Sequence, residues 1–166
     1  MASLIGLTLP FLVACAPVTA QSNAGQQATV VEQQAPALTL PSLDGRTVDL
    51  GEYIGKTPVV LHFFATWCSH CRAQMPSLMT AVERYSNSVK FIGIAVSASQ
   101  SPEQARGYAE THRMTHEILY DAQGDAVDAY RVPTTSYLVV IDARGRIAFT
   151  GWGPDLDIVA ATARGL

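Results

Sequence analysis

The stretch ATWCSHCRAQMP, residues 65–76, sets Cys68 and Cys71 three positions apart behind Trp67. Such a pair can exchange electrons, hold a metal or staple the chain. A two-residue spacer closes a loop too small to constrain the unfolded chain much, so stapling is a weak reason for it. For a metal, His112 and His116 supply a superficial second half of a zinc spacing. About forty residues intervene, however, against roughly a dozen in a zinc finger, and they include a whole strand and helix. The two histidines read more simply as polar residues at a helix end.

A redox dithiol needs a thiolate near neutral pH, a partner within disulfide reach and access to substrate. The flanking sequence supplies these conditions. PVVLHFFA, residues 58–65, is an unbroken apolar and aromatic run that fits a central strand buried on both faces. After it the period becomes helical: Met75, Leu78, Met79 and Val82 fall at i, i+3, i+4 and i+7, with Pro76 inside the pattern as an expected kink. The strand therefore delivers Cys68 to a helix N-terminus, where free N–H groups and the helix dipole favour a negative sulfur. Cys71 follows one turn on and more enclosed, so Cys68 reads as the attacking thiol and Cys71 as the resolving one. A C-x-x-C beside a βαβ pattern is a thioredoxin-like signature.

Further along, VKFIGIAV reads as a second buried strand ending near residue 96. Ser101-Pro102-Glu103-Gln104 combines an N-cap serine, a first-turn proline and a capping-box glutamine for a helix to about Thr111. EILYD is a short strand, DAVDAY a short helix, SYLVVID and RIAFT a hairpin, and Pro154 is expected to open a terminal helix through DLDIVAATA. Upstream, ALTL and TVDL flank Leu43-Asp44-Gly45-Arg46, an Asp-Gly hairpin signal. Alternating strands and helices predict a layered α/β fold, a central mixed sheet flanked by helices, with an N-terminal β-hairpin.

Residues 36–166 resemble the TlpA/ResA-type thioredoxin-like proteins, membrane-tethered bacterial thiol–disulfide oxidoreductases outside the cytoplasm. The resemblance is carried by the ALTLPSLDGRTVDL hairpin, by FFATWCSHCRAQMP and by RVPTTSYLVVIDARGRI, which is similar to the family's loop and strand around a cis-proline. It implies a thioredoxin-like three-layer fold, Cys68 and Cys71 as the redox-active disulfide, Trp67 as the flanking aromatic and Pro133 as the proline packed against it. It also implies protein thiols and disulfides as substrates and a membrane electron carrier that recharges the dithiol, in a setting such as cytochrome c maturation. No organic cofactor or metal is implied.

Three positions depart from the family pattern. Gln74 stands where many relatives have Glu, and it cannot exchange a proton. His62 stands where thioredoxins have a buried Asp. His70 precedes Cys71, as in the oxidising DsbA-type enzymes, and pulls toward a disulfide oxidant or isomerase. A peroxiredoxin-like peroxidase is a rival reading, but Thr66 is two residues before Cys68 rather than three. A copper-delivery module of the Sco type is another, and its cysteines are spaced C-x-x-x-C.

The 166 residues carry a net charge of −3 without a basic run, so the footprint of a nucleic-acid binder is missing. The apolar run from Leu4 to Ala14 is too short to span a bilayer and suits a signal-peptide core. It ends in Leu12-Val13-Ala14-Cys15, which resembles a bacterial lipobox. The expectation is a lipoprotein-type signal over 1–14, lipidation of Cys15, a Gln- and Ala-rich tether over 15–35 and a periplasmic or surface domain over 36–166.

Overall fold

A computed structural model describes residues 33–166. The signal segment, Cys15 and the tether up to residue 32 lie outside the described residues. The elements are β1 (Thr39–Pro41), β2 (Thr47–Asp49), β3 (Val59–Phe64), α1 (Ser69–Tyr85), β4 (Lys90–Val96), α2 (Pro102–Thr111), β5 (Glu117–Asp121), α3 (Asp125–Ala129), β6 (Tyr137–Ile141), β7 (Ile147–Gly151) and α4 (Ile158–Thr162). One five-stranded sheet runs in the order β5-β4-β3-β6-β7. β3, β4 and β5 are parallel, and β6 and β7 return antiparallel. β1 and β2 form a separate hairpin.

Every residue of β3 is buried, as its continuous apolar run predicts for a strand covered on both faces. Strand alternation separates those faces. Phe63 meets Tyr130 at the end of α3. His62 and Phe64 point the other way, His62 to Gln74 of α1 and Phe64 to Tyr108 of α2. α1 and α2 thus share one face and α3 takes the opposite one, giving three layers. α4 packs on α1.

Two expectations are corrected. α4 begins at Ile158 rather than near Pro154, because Asp157 is its N-cap and accepts the Ala160 N–H at 3.0 Å. Residues 33–35, read as tether, pair with the β6–β7 turn: Ala35 N–H donates to Gly145 C=O at 2.8 Å and Ile147 N–H to Gln33 C=O at 2.9 Å. The ordered domain therefore starts before Pro36. At the other edge the hairpin covers β5, where Leu43 N–H donates to Ile118 C=O at 3.0 Å and Arg46 pairs with Glu117 at 2.9 Å. Capping of α2 follows its sequence signal, with both halves of the Ser101–Gln104 box formed.

Candidate active site

β3 ends at Phe64 and α1 starts at Ser69, so the intervening turn places Cys68 at the helix N-cap. The Cys68 sulfur accepts the Cys71 backbone N–H at 3.0 Å, a bond that would persist to a thiolate. Cys68 and Cys71 are joined in a disulfide with Cα atoms 5.3 Å apart. Both cysteines are buried in the oxidised protein, and what little surface the pair keeps belongs to Cys68, 5% exposed against none for Cys71. Among the described residues no group of three or more His, Cys, Asp or Glu is placed to hold a metal, and the cysteine pair gains no third donor.

The turn is held from the β4–α2 loop. Thr66 N–H donates to Gln100 Oε1 at 2.8 Å, and the Gln100 amide nitrogen donates to Val96 C=O. Trp67, 51% exposed, donates its indole N–H to Ala98 C=O at 2.8 Å. Its ring is thus fixed beside Cys68 while its face stays open. His70 is exposed on the first turn of α1. Gln100 carries no motif, and its role was not readable from the sequence.

Behind the dithiol, Gln74 has no exposed surface. Its Nε2 donates to Ser136 C=O at 3.0 Å and to Gly153 C=O at 2.7 Å, so both amide hydrogens are used. Oε1 therefore faces His62 Nε2 at 3.1 Å as an acceptor, which assigns the proton of that ring to Nε2. His62 Nδ1 is left as a bare, buried acceptor. Burial pushes the His62 pKa down to about 4, and the bond from Gln74 opposes this only in part, so the ring is neutral at pH 7. Ser136 lies in the left-handed region at φ 64, and it is the Ser136 carbonyl that meets Gln74.

Pro133 is exposed in the loop before β6. Every peptide bond among the described residues is trans, Val132–Pro133 included, so the cis geometry of the family's loop is not found here. His116 also differs from expectation. Read as a polar residue at a helix end, it is half-buried just before β5, with both ring nitrogens enclosed and without a partner.

A buried strand, a dithiol at the head of the helix that follows it and an enclosed polar hub beneath define a thioredoxin-like dithiol protein. Residues 31–150 match the AhpC/TSA family. The thioredoxin-like protein YneN of Bacillus subtilis (strain 168) is 34% identical over 116 residues, 69% of this chain and 67% of that protein. The thiol-disulfide oxidoreductase ResA of Geobacillus thermodenitrificans (strain NG80-2) is 31% identical over 120 residues, 72% of this chain and 68% of that protein. A crystal structure of a secreted Mycobacterium tuberculosis disulfide oxidoreductase, homologous to E. coli DsbE, matches with a TM-score of 0.67 at 28% identity, over 77% of this chain and 93% of that one. The chain belongs to the AhpC/TSA family and, among its thioredoxin-like members, to the TlpA/ResA type.

Proposed function

We propose that this thiol–disulfide oxidoreductase reduces protein disulfides outside the cytoplasm through Cys68 and Cys71. The observation that carries the reading is the asymmetry of the pair, Cys68 at the helix N-cap with the pair's only exposed surface and Cys71 fully enclosed one turn on. In the reduced protein the Cys68 thiolate attacks a substrate disulfide; a Cys68–substrate bond forms and a substrate thiolate leaves. Cys71 then attacks the Cys68 sulfur, closes the intramolecular disulfide and releases the second substrate thiol. A membrane electron carrier would return the two electrons. Run backwards, the same steps oxidise a substrate dithiol.

Support for an extracytoplasmic setting comes from the secreted Mycobacterium protein named above and from the signal-like run ending at Cys15. Lipidation of Cys15 would tether the domain to the membrane. Among the described residues no helix is long and apolar enough to cross one. Cytochrome c maturation, the setting suggested by the family resemblance, belongs to the same proposal.

The test is mixed-disulfide trapping in the native compartment. Cys71→Ser is expected to accumulate covalent complexes with substrate proteins that dissolve under dithiothreitol, whereas Cys68→Ser accumulates few. Equal trapping by both variants, or trapping by Cys68→Ser alone, would overturn the assignment of roles.

A further inference from the structure

The turn that leads from β3 into α1 is closed by one backbone bond, from the Cys68 N–H to the Ala65 C=O at 3.1 Å. Its two central residues are Thr66 and Trp67. The loop after β4 holds both of them. The Thr66 N–H donates to Gln100 Oε1 at 2.8 Å, and the Trp67 indole N–H donates to the Ala98 C=O at 2.8 Å. From α1 itself comes only a longer bond, Arg72 Nη1 to the Thr66 C=O at 3.4 Å. The place of Cys68 therefore depends on residues outside its own strand and helix.

Gln100 is the better anchored of the two supports. It is buried, and its amide is used at both ends: Oε1 takes the Thr66 N–H, while Nε2 donates to the Val96 C=O at the end of β4. An acceptor facing an N–H and a donor facing a C=O leave the amide one orientation. The backbone of Gln100 is held as well, since its C=O accepts the Tyr120 O–H from β5 at 2.7 Å. One side chain thus ties the dithiol turn to the end of β4 and, through its own backbone, to β5.

We propose that Gln100 is a positioning residue for the dithiol: by fixing Thr66 it keeps Cys68 at the helix N-cap, and so sets the stability of the thiolate and the redox potential of the pair. The proposal rests on the dithiol reading above and names a residue that tunes it. The Cys68 sulfur accepts the Cys71 N–H at 3.0 Å, and a bond of this kind weakens steeply as its distance and angle depart from the optimum. A Thr66 peptide free to turn away from Gln100 lets Cys68 swing against the first turn of α1. The thiolate then loses part of its stabilisation. No hydrogen bond joins Gln100 to either cysteine, so it acts through the turn.

The exchange that reads this effect is the reaction of reduced protein with glutathione disulfide. The Cys68–Cys71 bond forms, the glutathione S–S bond breaks, and two electrons and two protons pass to the two glutathione thiols. A stabilised Cys68 thiolate favours the reduced protein. Loosening the turn therefore moves the equilibrium toward the protein disulfide. The potential falls, and the thiolate forms at higher pH.

The experiment compares wild type with Gln100→Met, which keeps the length of the side chain and removes both amide bonds. In glutathione buffers its equilibrium constant for oxidation is expected to rise about threefold, a fall of roughly 14 mV at about 30 mV per tenfold. Its ultraviolet thiolate absorbance should titrate at higher pH than that of the wild type. Tyr120→Phe is the control, because it removes a hydrogen bond of the same residue but leaves the amide on Thr66. It should unfold at lower urea concentration, as Gln100→Met does, yet keep the wild-type constant and titration. If Gln100→Met does not fold, Gln100→Asn decides in its place: it keeps an amide but is one methylene too short to reach both groups, and the same direction of change is expected. A wild-type constant and titration in the Gln100 variant, or shifts of equal size in Tyr120→Phe, would overturn the assignment. Failure of the wild type to exchange with glutathione at all would remove the dithiol reading, and this assignment with it.

Discussion

Gln74 is where the sequence understated a residue most. Its position three residues after Cys71 marks it as lacking a carboxylate, and the structure adds what the amide does instead. It bridges α1 to the Ser136 carbonyl before β6 and the Gly153 carbonyl after β7, and it orients His62. A glutamate cannot donate to two carbonyls, so it does not replace this amide. Gln74→Ala strips the His62 N–H and the Ser136 carbonyl of this partner, leaves the Gly153 carbonyl only the Leu156 N–H at 3.4 Å, and opens a cavity. At about 1 kcal/mol net for each bond and more for the stranded groups, a loss of roughly 3–5 kcal/mol is expected in urea unfolding of the oxidised protein. Gln74→Glu should lose a comparable amount at pH 7. A loss below about 1 kcal/mol in both would show that the hub is not structural. The departures at 62 and 74 were legible as departures, but their contact was not, because it joins a strand to a helix through tertiary packing.

At the scale of elements, legibility followed redundancy of signal. α2 carries an N-cap serine, a first-turn proline and a reciprocal glutamine, and it begins where those signals put it. Ser101→Ala is expected to lose about 1 kcal/mol by urea unfolding, while Ser101→Asp, which keeps an acceptor, stays within about 0.5 kcal/mol of wild type. Equal losses in the two would mean that the cap contributes nothing. α4 was misplaced because Pro154 looked like a first-turn proline, whereas the chain first turns through Gly153 at φ 114 and caps on Asp157. Residues 33–35 were missed for another reason. Their links to the β6–β7 turn run through backbone groups, which leave no trace in side-chain composition. That the His116 ring nitrogens are enclosed could not be read without knowing that Gly93 leaves room for the ring.

For the whole molecule, buried His62 and half-buried His116 set a pH dependence. Their pKa values near 4 lie below the ordinary 6.5, so the unfolded chain binds protons first as pH falls. Folding stability is therefore complete above about pH 6.5 and declines between 6.5 and 4, by about 3 kcal/mol at the lower limit for buried His62 and by less for half-buried His116. Urea midpoints should fall steeply across that window, and His116→Phe should remove the smaller part of the decline. A midpoint flat from pH 7 to 4.5 would contradict the buried, neutral state of the rings. Cys68 and Cys71 form a two-electron redox couple with an amide, Gln74, and a neutral imidazole, His62, behind it rather than a carboxylate at either position. A stabilised thiolate favours the reduced form and raises the potential. The most direct measurement equilibrates the protein in glutathione buffers and counts free thiols by alkylation and mass. The expected result is one two-electron transition, confined to Cys68 and Cys71, at a potential above about −270 mV. Two independent one-electron changes, or a transition that survives Cys68→Ser, would contradict the account.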